Sequence, residues 1–156
     1  MMQDYINIQQ VKSNILDAVK VNFKRDKKID SVALIIDKNG LLHPIGTPFA
    51  NQEEKLATIQ FIKDYCVEIE AVALFLINEA WKRKTPKKDW NSSTEYKRVS
   101  EYEDKQECVM VNFETELYGE IICFDIDREK NELVNMESAM SEGGNFSNIL
   151  FKINKN

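Results

Sequence analysis

The sequence predicts an α+β fold in which one mainly antiparallel sheet carries two packed helices. Three observations support this. Ala71 to Ile77 is an uninterrupted apolar run. A short β-branched hairpin surrounds Asp37-Lys38-Asn39-Gly40. Two further segments repeat apolar residues at helical spacing. With 156 residues, 43% of them hydrophobic and 30% charged, the chain can bury a core without cross-links and cover it with solvated groups. Residues 1–156 are therefore expected to form a single domain.

The first helix is expected from about Gln3 to Lys24, because Ile8, Val11, Ile15, Ala18/Val19 and Phe23 fall on one face. Lys20, Lys24, Arg25, Lys27 and Lys28 gather at its last turn and exit, where cations complement the carbonyl end of the helix dipole. Ser31 to Ile36 and Leu41 to Ile45 then make a hairpin, with Gly40 at the turn position that needs positive φ. Pro44 puts the second of these strands at a sheet edge, since proline cannot donate to a ladder. Asn51 followed by Glu54 reads as a capping box for a second helix, with Leu56, Ile59, Ile62, Cys66 and Ile69 as its apolar stripe.

Ala71 to Ile77 lacks polar alternation, so both of its faces must be covered and it belongs in the centre of the sheet. Asn78-Glu79-Ala80-Trp81 reads as its exit, and residues 82–105 as a long charged loop. Gln106 to Thr115, Gly119 to Asp127 and Glu132 to Met136 follow as a three-stranded meander. Residues 141–145 read as a flexible break. The segment after it, Asn145 to Ile153, suits a strand or a helical turn, with the strand preferred. The order helix, hairpin, helix, central strand, meander is similar to that of roadblock-type and profilin-like domains, a likeness of architecture that carries no function with it.

Charge is unevenly placed. Residues 1–100 carry 16 Lys/Arg against 13 Asp/Glu, and residues 101–156 carry 5 against 13. The acidic excess lies on predicted strands and predicts a negative sheet face, which disfavours duplex binding. No apolar stretch approaches the roughly 20 residues of a membrane span, and no secretory leader is legible, so a cytoplasmic location without membrane contact is expected. Cys66, Cys108 and Cys123 are widely separated in apolar contexts, which reads as reduced, buried thiols.

The candidate binding residues cluster at the exit of the central strand. Trp81 and Glu79 stand beside Lys82, Arg83, Lys84, Lys87 and Lys88, with Trp90 further on. Tryptophan is an anchor residue at interfaces. Cations interleaved with aromatic rings also suit a single-stranded nucleic acid, although acidic residues in the same stretch oppose that reading. Asp125 and Asp127 alternate on one strand and could share a cation, with Glu79 as a further carboxylate, which offers a metal-dependent nuclease or phosphodiesterase as an alternative. His43 is the only histidine, no serine or cysteine sits in a nucleophile elbow, and no Gly-rich phosphate loop exists. No catalytic residue and no cofactor are therefore assigned.

Phe75-Leu76-Ile77-Asn78-Glu79-Ala80-Trp81, then a charged loop, then Glu107 to Thr115 resembles a pattern in small uncharacterised bacterial and phage-encoded proteins, in which a strand ending in Glu-Ala-Trp precedes a second strand. The resemblance implies an accessory protein of a mobile element and no activity. Together these readings predict a noncatalytic, protein-binding domain, with self-association as a homodimer one form of that binding.

Overall fold

The computed structural model describes residues 7–47, 51–83 and 105–140. Helix α1 (Ile8–Asp26) starts after Asn7, whose side chain accepts from the Gln10 amide at 3.0 Å and satisfies a first-turn donor. It ends at Lys27, which takes the left-handed conformation and returns its N–H to the Phe23 carbonyl at 2.6 Å. The helix therefore runs two residues past the expected Lys24.

Strands β1 (Val32–Asp37) and β2 (Leu42–Gly46) form the expected hairpin, with Gly40 at φ 85°. Asn51 caps α2 (Gln52–Glu68) by accepting from the Glu54 amide at 2.8 Å. Ile59, Ile62 and Cys66 of the expected stripe are buried, but Leu56 is 55% exposed. The inward face of α2 begins one turn later than the spacing suggests.

Strand β3 (Ala71–Arg83) is longer than its apolar run and corrects the expected exit at Asn78 to Trp81. It stays paired with β4 (Lys105–Thr115) from Ala73↔Thr115 to Arg83↔Lys105. Backbone hydrogen bonds sustain a strand whatever its side chains, so the polar residues after Ile77 do not end it. Strands β5 (Gly119–Asp127) and β6 (Glu132–Met140) complete the meander, β6 reaching four residues past the expected Met136.

All pairings are antiparallel, in the order β2-β1-β3-β4-β5-β6, which makes the fold α+β with β3 inside the sheet. This order is compatible with a roadblock-type arrangement and not specific to it. The expected loop at 82–105 is corrected at both ends, since Lys82 and Arg83 belong to β3 and Lys105 to β4, held in the ladder by backbone pairing. Residues 84–104, the expected helix start at Gln3, the break at 141–145 and Asn145 to Ile153 lie outside the described residues. No described helix is long and apolar enough to cross a membrane.

Side-chain alternation along β3 divides the core in two. Phe75 and Ile77 join Val19, Phe23, Val109, Val111, Phe113, Ile122 and Phe124 beneath α1. Leu74 and Leu76 join Ala33, Ile35, Ile59, Ile62 and Cys66 beneath α2 on the opposite face. The Phe75 and Phe113 rings tilt against each other at 4.7 Å. Each fully buried side chain of this kind contributes about 1.5–3 kcal/mol.

Candidate functional site

Alpha-helix α1 does not cover its whole sheet face. Lys12 pairs with Glu120 of β5 at 2.9 Å and Lys24 with Glu132 of β6 at 3.7 Å, so the helix leans towards the meander. Towards β1 and β2 it leaves an apolar groove of about 470 Å³. Val32 and Leu34 of β1, Leu42 of β2 and Ile77 of β3 line its sheet side, and Ile15, Ala18 and Val19 of α1 line its wall. These strand residues reach one face because β1 and β2 pair as Val32↔Gly46, Leu34↔Pro44 and Ile36↔Leu42, and β1 pairs with β3 as Val32↔Ile77. Leu42 is half exposed at the rim, and the neighbouring Leu41 is more exposed still. Arg25, Asp26, Lys28 and Asp30 close the end near the α1 C-terminus. There Arg25 is bound to Asp26 at 3.0 Å, and Lys28 lies 3.6 Å from Asp30.

The groove runs beside an edge that resists strand addition. Asp37 N donates to the Leu41 carbonyl and Thr47 N to the Ser31 carbonyl, which fixes the alternation of the hairpin ladder. Leu42, Pro44 and Gly46 therefore direct their backbone groups outward. Pro44 brings no donor at the middle of that outward row, so a strand laid against β2 would lose a central bond.

The residues singled out from the sequence divide between the two sheet faces. Glu79 and Trp81 lie on the α1 face, and Lys82, the next residue, on the other. Glu79 forms part of a clasp rather than an open site. Its Oε2 accepts from the Ile29 amide at 2.8 Å, and its Oε1 lies 3.5 Å from Arg128. Arg128 also donates to Glu107 through Nε at 2.8 Å and Nη2 at 3.1 Å, and through Nη1 to the Lys27 carbonyl at 3.0 Å. The clasp ties the end of α1 to β3, β4 and the β5–β6 turn. The hydrogen-bonded Arg128 guanidinium holds the Glu107 carboxyl below its usual range.

Trp81 is 40% exposed, with the Lys105 ammonium 4.9 Å from its ring centroid. On the opposite face Lys82 lies 2.6 Å from Asp125 and 3.5 Å from Glu137. Burial opposes the charge of Lys82, but the hydrogen bond to Asp125 and the surrounding negative groups outweigh it and hold the ammonium above its ordinary value. Arg83 ends β3 in register with Lys105. Lys84, Lys87, Lys88 and Trp90 lie outside the described residues.

Asp125 and Asp127 do not converge on a shared point. Asp125 is held by Lys82 and accepts from the Asn135 amide at 3.2 Å, whereas Asp127 accepts from the Glu129 and Lys130 backbone amides of its own turn at 3.0 and 3.1 Å. Among the described residues no three His, Cys, Asp or Glu side chains gather where they could hold a metal ion. Cys66, Cys108 and Cys123 are buried free thiols, and burial pushes Cys66 up to about 12. Cys108 and Cys123 sit on paired strands, and the Cys108 thiol is raised, first by its hydrogen bond to Cys123 and then by burial.

Two arrangements escaped the sequence reading. The groove draws on α1, three strands and the loop after α1, and Asn14 and Asn22 along its wall read in sequence as the polar side of the helix. The second is a relay through His43. Its Nε2 is 2.8 Å from Asp37 and its Nδ1 2.9 Å from the Tyr65 hydroxyl, while Asp37 Oδ1 accepts from the Asn39 and Leu41 amides at 2.8 and 3.0 Å. The relay pins edge strand β2 to α2. Its only advance signal was the placement of Asp37 and His43 six residues apart across a four-residue turn, with no mark on Tyr65. Compared with known protein families, with curated proteins and with solved structures, this chain matches none.

Proposed function

We propose that this chain is a noncatalytic accessory domain, working in the cytoplasm, that binds another protein or a second copy of itself through the groove beside α1. The observation that carries this reading is the groove itself. Its volume lies within the range of ligand sites, its walls are aliphatic, and its charged residues stand at one end. A solvated surface gains nothing from Val32, Leu34 and Leu42 sharing one strip that is only partly covered. The accessory role implied by the Glu-Ala-Trp resemblance belongs to the same proposal.

The nuclease alternative has less support, because Asp125 is neutralised by Lys82 and Glu79 lies on the other side of the sheet in the Arg128 clasp. For the single-strand alternative, Trp81 and Lys82 point to opposite faces and cannot serve one strand together.

Photo-crosslinking with the full chain tests the binding reading. A crosslinking residue at Ala18 or Leu42 is expected to form a discrete protein adduct that the same residue at Asp64, on exposed α2, does not. Equal labelling from all three positions would remove the groove from consideration.

A further inference from the structure

We infer that Cys108 and Cys123 form a redox modification site, at which a peroxide joins the two thiols as a reversible disulfide across β4 and β5. Both lie on the side of the meander opposite to α1, away from the groove.

The ladder brings the two cysteines together. Strands β4 and β5 pair as Cys108↔Asp125 and Met110↔Cys123, so the cysteines are diagonal neighbours whose side chains leave the same sheet face. Their thiols are hydrogen-bonded to each other. Cys66, by contrast, belongs to the apolar core beneath α2 and has no thiol neighbour among the described residues.

The surroundings of the pair are polar. Lys82 of β3 holds Asp125 of β5 and Glu137 of β6, and its ammonium acts on both thiols. Glu137 pairs with Cys123 in the ladder and has a side chain 72% exposed. Cys123, at 9% exposure, therefore stands at a margin that a small oxidant reaches, whereas Cys108 is fully enclosed.

The two thiols are unequal. The hydrogen bond from Cys108 holds Cys123 below its ordinary value, opposed by burial and by the nearby carboxylates and supported by Lys82. The same bond, and then burial, raise Cys108. A thiolate beside a protonated resolving thiol is the pairing that dithiol oxidation needs. The Cys123 thiolate attacks one oxygen of hydrogen peroxide, so that an S–O bond forms, the O–O bond breaks and the released hydroxide takes a proton to become water. The Cys108 sulfur then attacks the sulfenic sulfur. The S–S bond forms, the S–O bond breaks, and the departing hydroxide takes the Cys108 proton as a second water. Together the two sulfurs lose two electrons to the peroxide, and a dithiol reductant returns them by exchange.

Reversibility follows from the spacing. Diagonal neighbours on antiparallel strands lie about 7–8 Å apart, wider than the roughly 5.5–6 Å between the Cα atoms of a relaxed disulfide. The register shift between Cys123 and Asp125 in the β5–β6 pairing loosens β5 at this point and lets the gap close. A bridge made this way is strained and easily reduced, which is the behaviour of redox-sensing disulfides in a reducing compartment.

The test treats the full chain with hydrogen peroxide, alkylates the remaining thiols after unfolding, and maps the tryptic peptides by mass. Residues 106–128 hold both cysteines with no Lys or Arg before Arg128. That peptide is expected to lose both alkylation sites and about 2 Da, and to regain both with dithiothreitol, while Cys66 stays open to alkylation after unfolding. Cys108→Ser is expected to leave Cys123 as a sulfenic acid that dimedone traps, and Cys123→Ser to leave Cys108 unmodified at the same exposure. Lys82→Met is expected to slow bridging about threefold or more at neutral pH and to move its rise to higher pH, with Lys82→Arg restoring most of the parent rate. Peptide 106–128 alkylated at both cysteines after peroxide, a bridge through Cys66 or between two chains, or dimedone on Cys108 instead of Cys123 overturns the inference. Bridging in Lys82→Met with the rate and pH profile of the parent overturns the part given to Lys82.

Discussion

Arg128 shows how much one side chain can organise in this molecule. From the β5–β6 turn it reaches Glu107, Glu79 and the carbonyl of Lys27, and its guanidinium carbon lies 5.7 Å from the centre of the Phe23 ring. The planar fork serves several acceptors at once, which an ammonium cannot do. Arg128→Ala is expected to cost about 1–2 kcal/mol in urea unfolding, the value of charge-assisted bonds discounted for partial exposure. Arg128→Lys should recover little of it. Asp37 offers a second test at this scale. The His43 hydrogen bond, joined by the Leu41 and Asn39 amides and opposed by burial, lowers its carboxyl below the ordinary value. In the unfolded chain such a group protonates near pH ~4, so its stabilisation is complete above that pH and is lost as pH falls through the lower folded value. Asp37→Asn keeps the shape without the charge. The urea midpoints of parent and variant should therefore differ at neutral pH and converge as pH falls through the lowered folded value. Glu79 and His43 were visible in the sequence as residues, but Arg128 and Tyr65, to which they bond, were not, because these stand 49 and 22 positions away and spacing carries no trace of them.

Elements were more legible than side-chain partnerships. Asn51 before α2, Gly40 in the hairpin turn and Pro44 at the edge each constrain the local backbone by their own chemistry, and each appears where the sequence places it. Strand ends were less legible where pairing continues beyond the apolar run, as in β3 from Asn78 to Arg83. Pro44 also allows a test of edge protection. Pro44→Thr restores an outward N–H at the centre of β2, next to the exposed Leu41 and Leu42, and is expected to leave the folded monomer intact while raising concentration-dependent light scattering. A variant that scattered no more than the parent would show that the proline does not guard this edge.

For the molecule as a whole, the α+β class and the interior position of β3 followed from patterning. The placement of α1 and α2 on opposite faces, and the leaning of α1 that opens the groove, did not. Periodicity identifies which face of a helix is buried, yet not which strands lie beneath it. The Lys12–Glu120 and Lys24–Glu132 pairs mark the position that α1 takes, on the meander side. The candidate surface therefore came from packing, whereas the sequence directed attention to Trp81, a partly exposed ring on the same sheet face next to the Arg128 clasp.

Because β3 sends alternate side chains into separate cores, the sheet acts as a partition. Ile62 and Val111 belong to different sides of it and share no packing neighbour through which a cavity could be relieved. Repacking on one side is then invisible to the other. Ile62→Val and Val111→Ala are each expected to lower stability, and the double variant should lose the sum of the two to within about 0.5 kcal/mol in denaturant unfolding. A larger departure would mean that the backbone of β3 transmits strain across the partition. Additive behaviour would mean that either layer can accept substitutions, including those that reshape the surface beside α1, without drawing on the tolerance of the other.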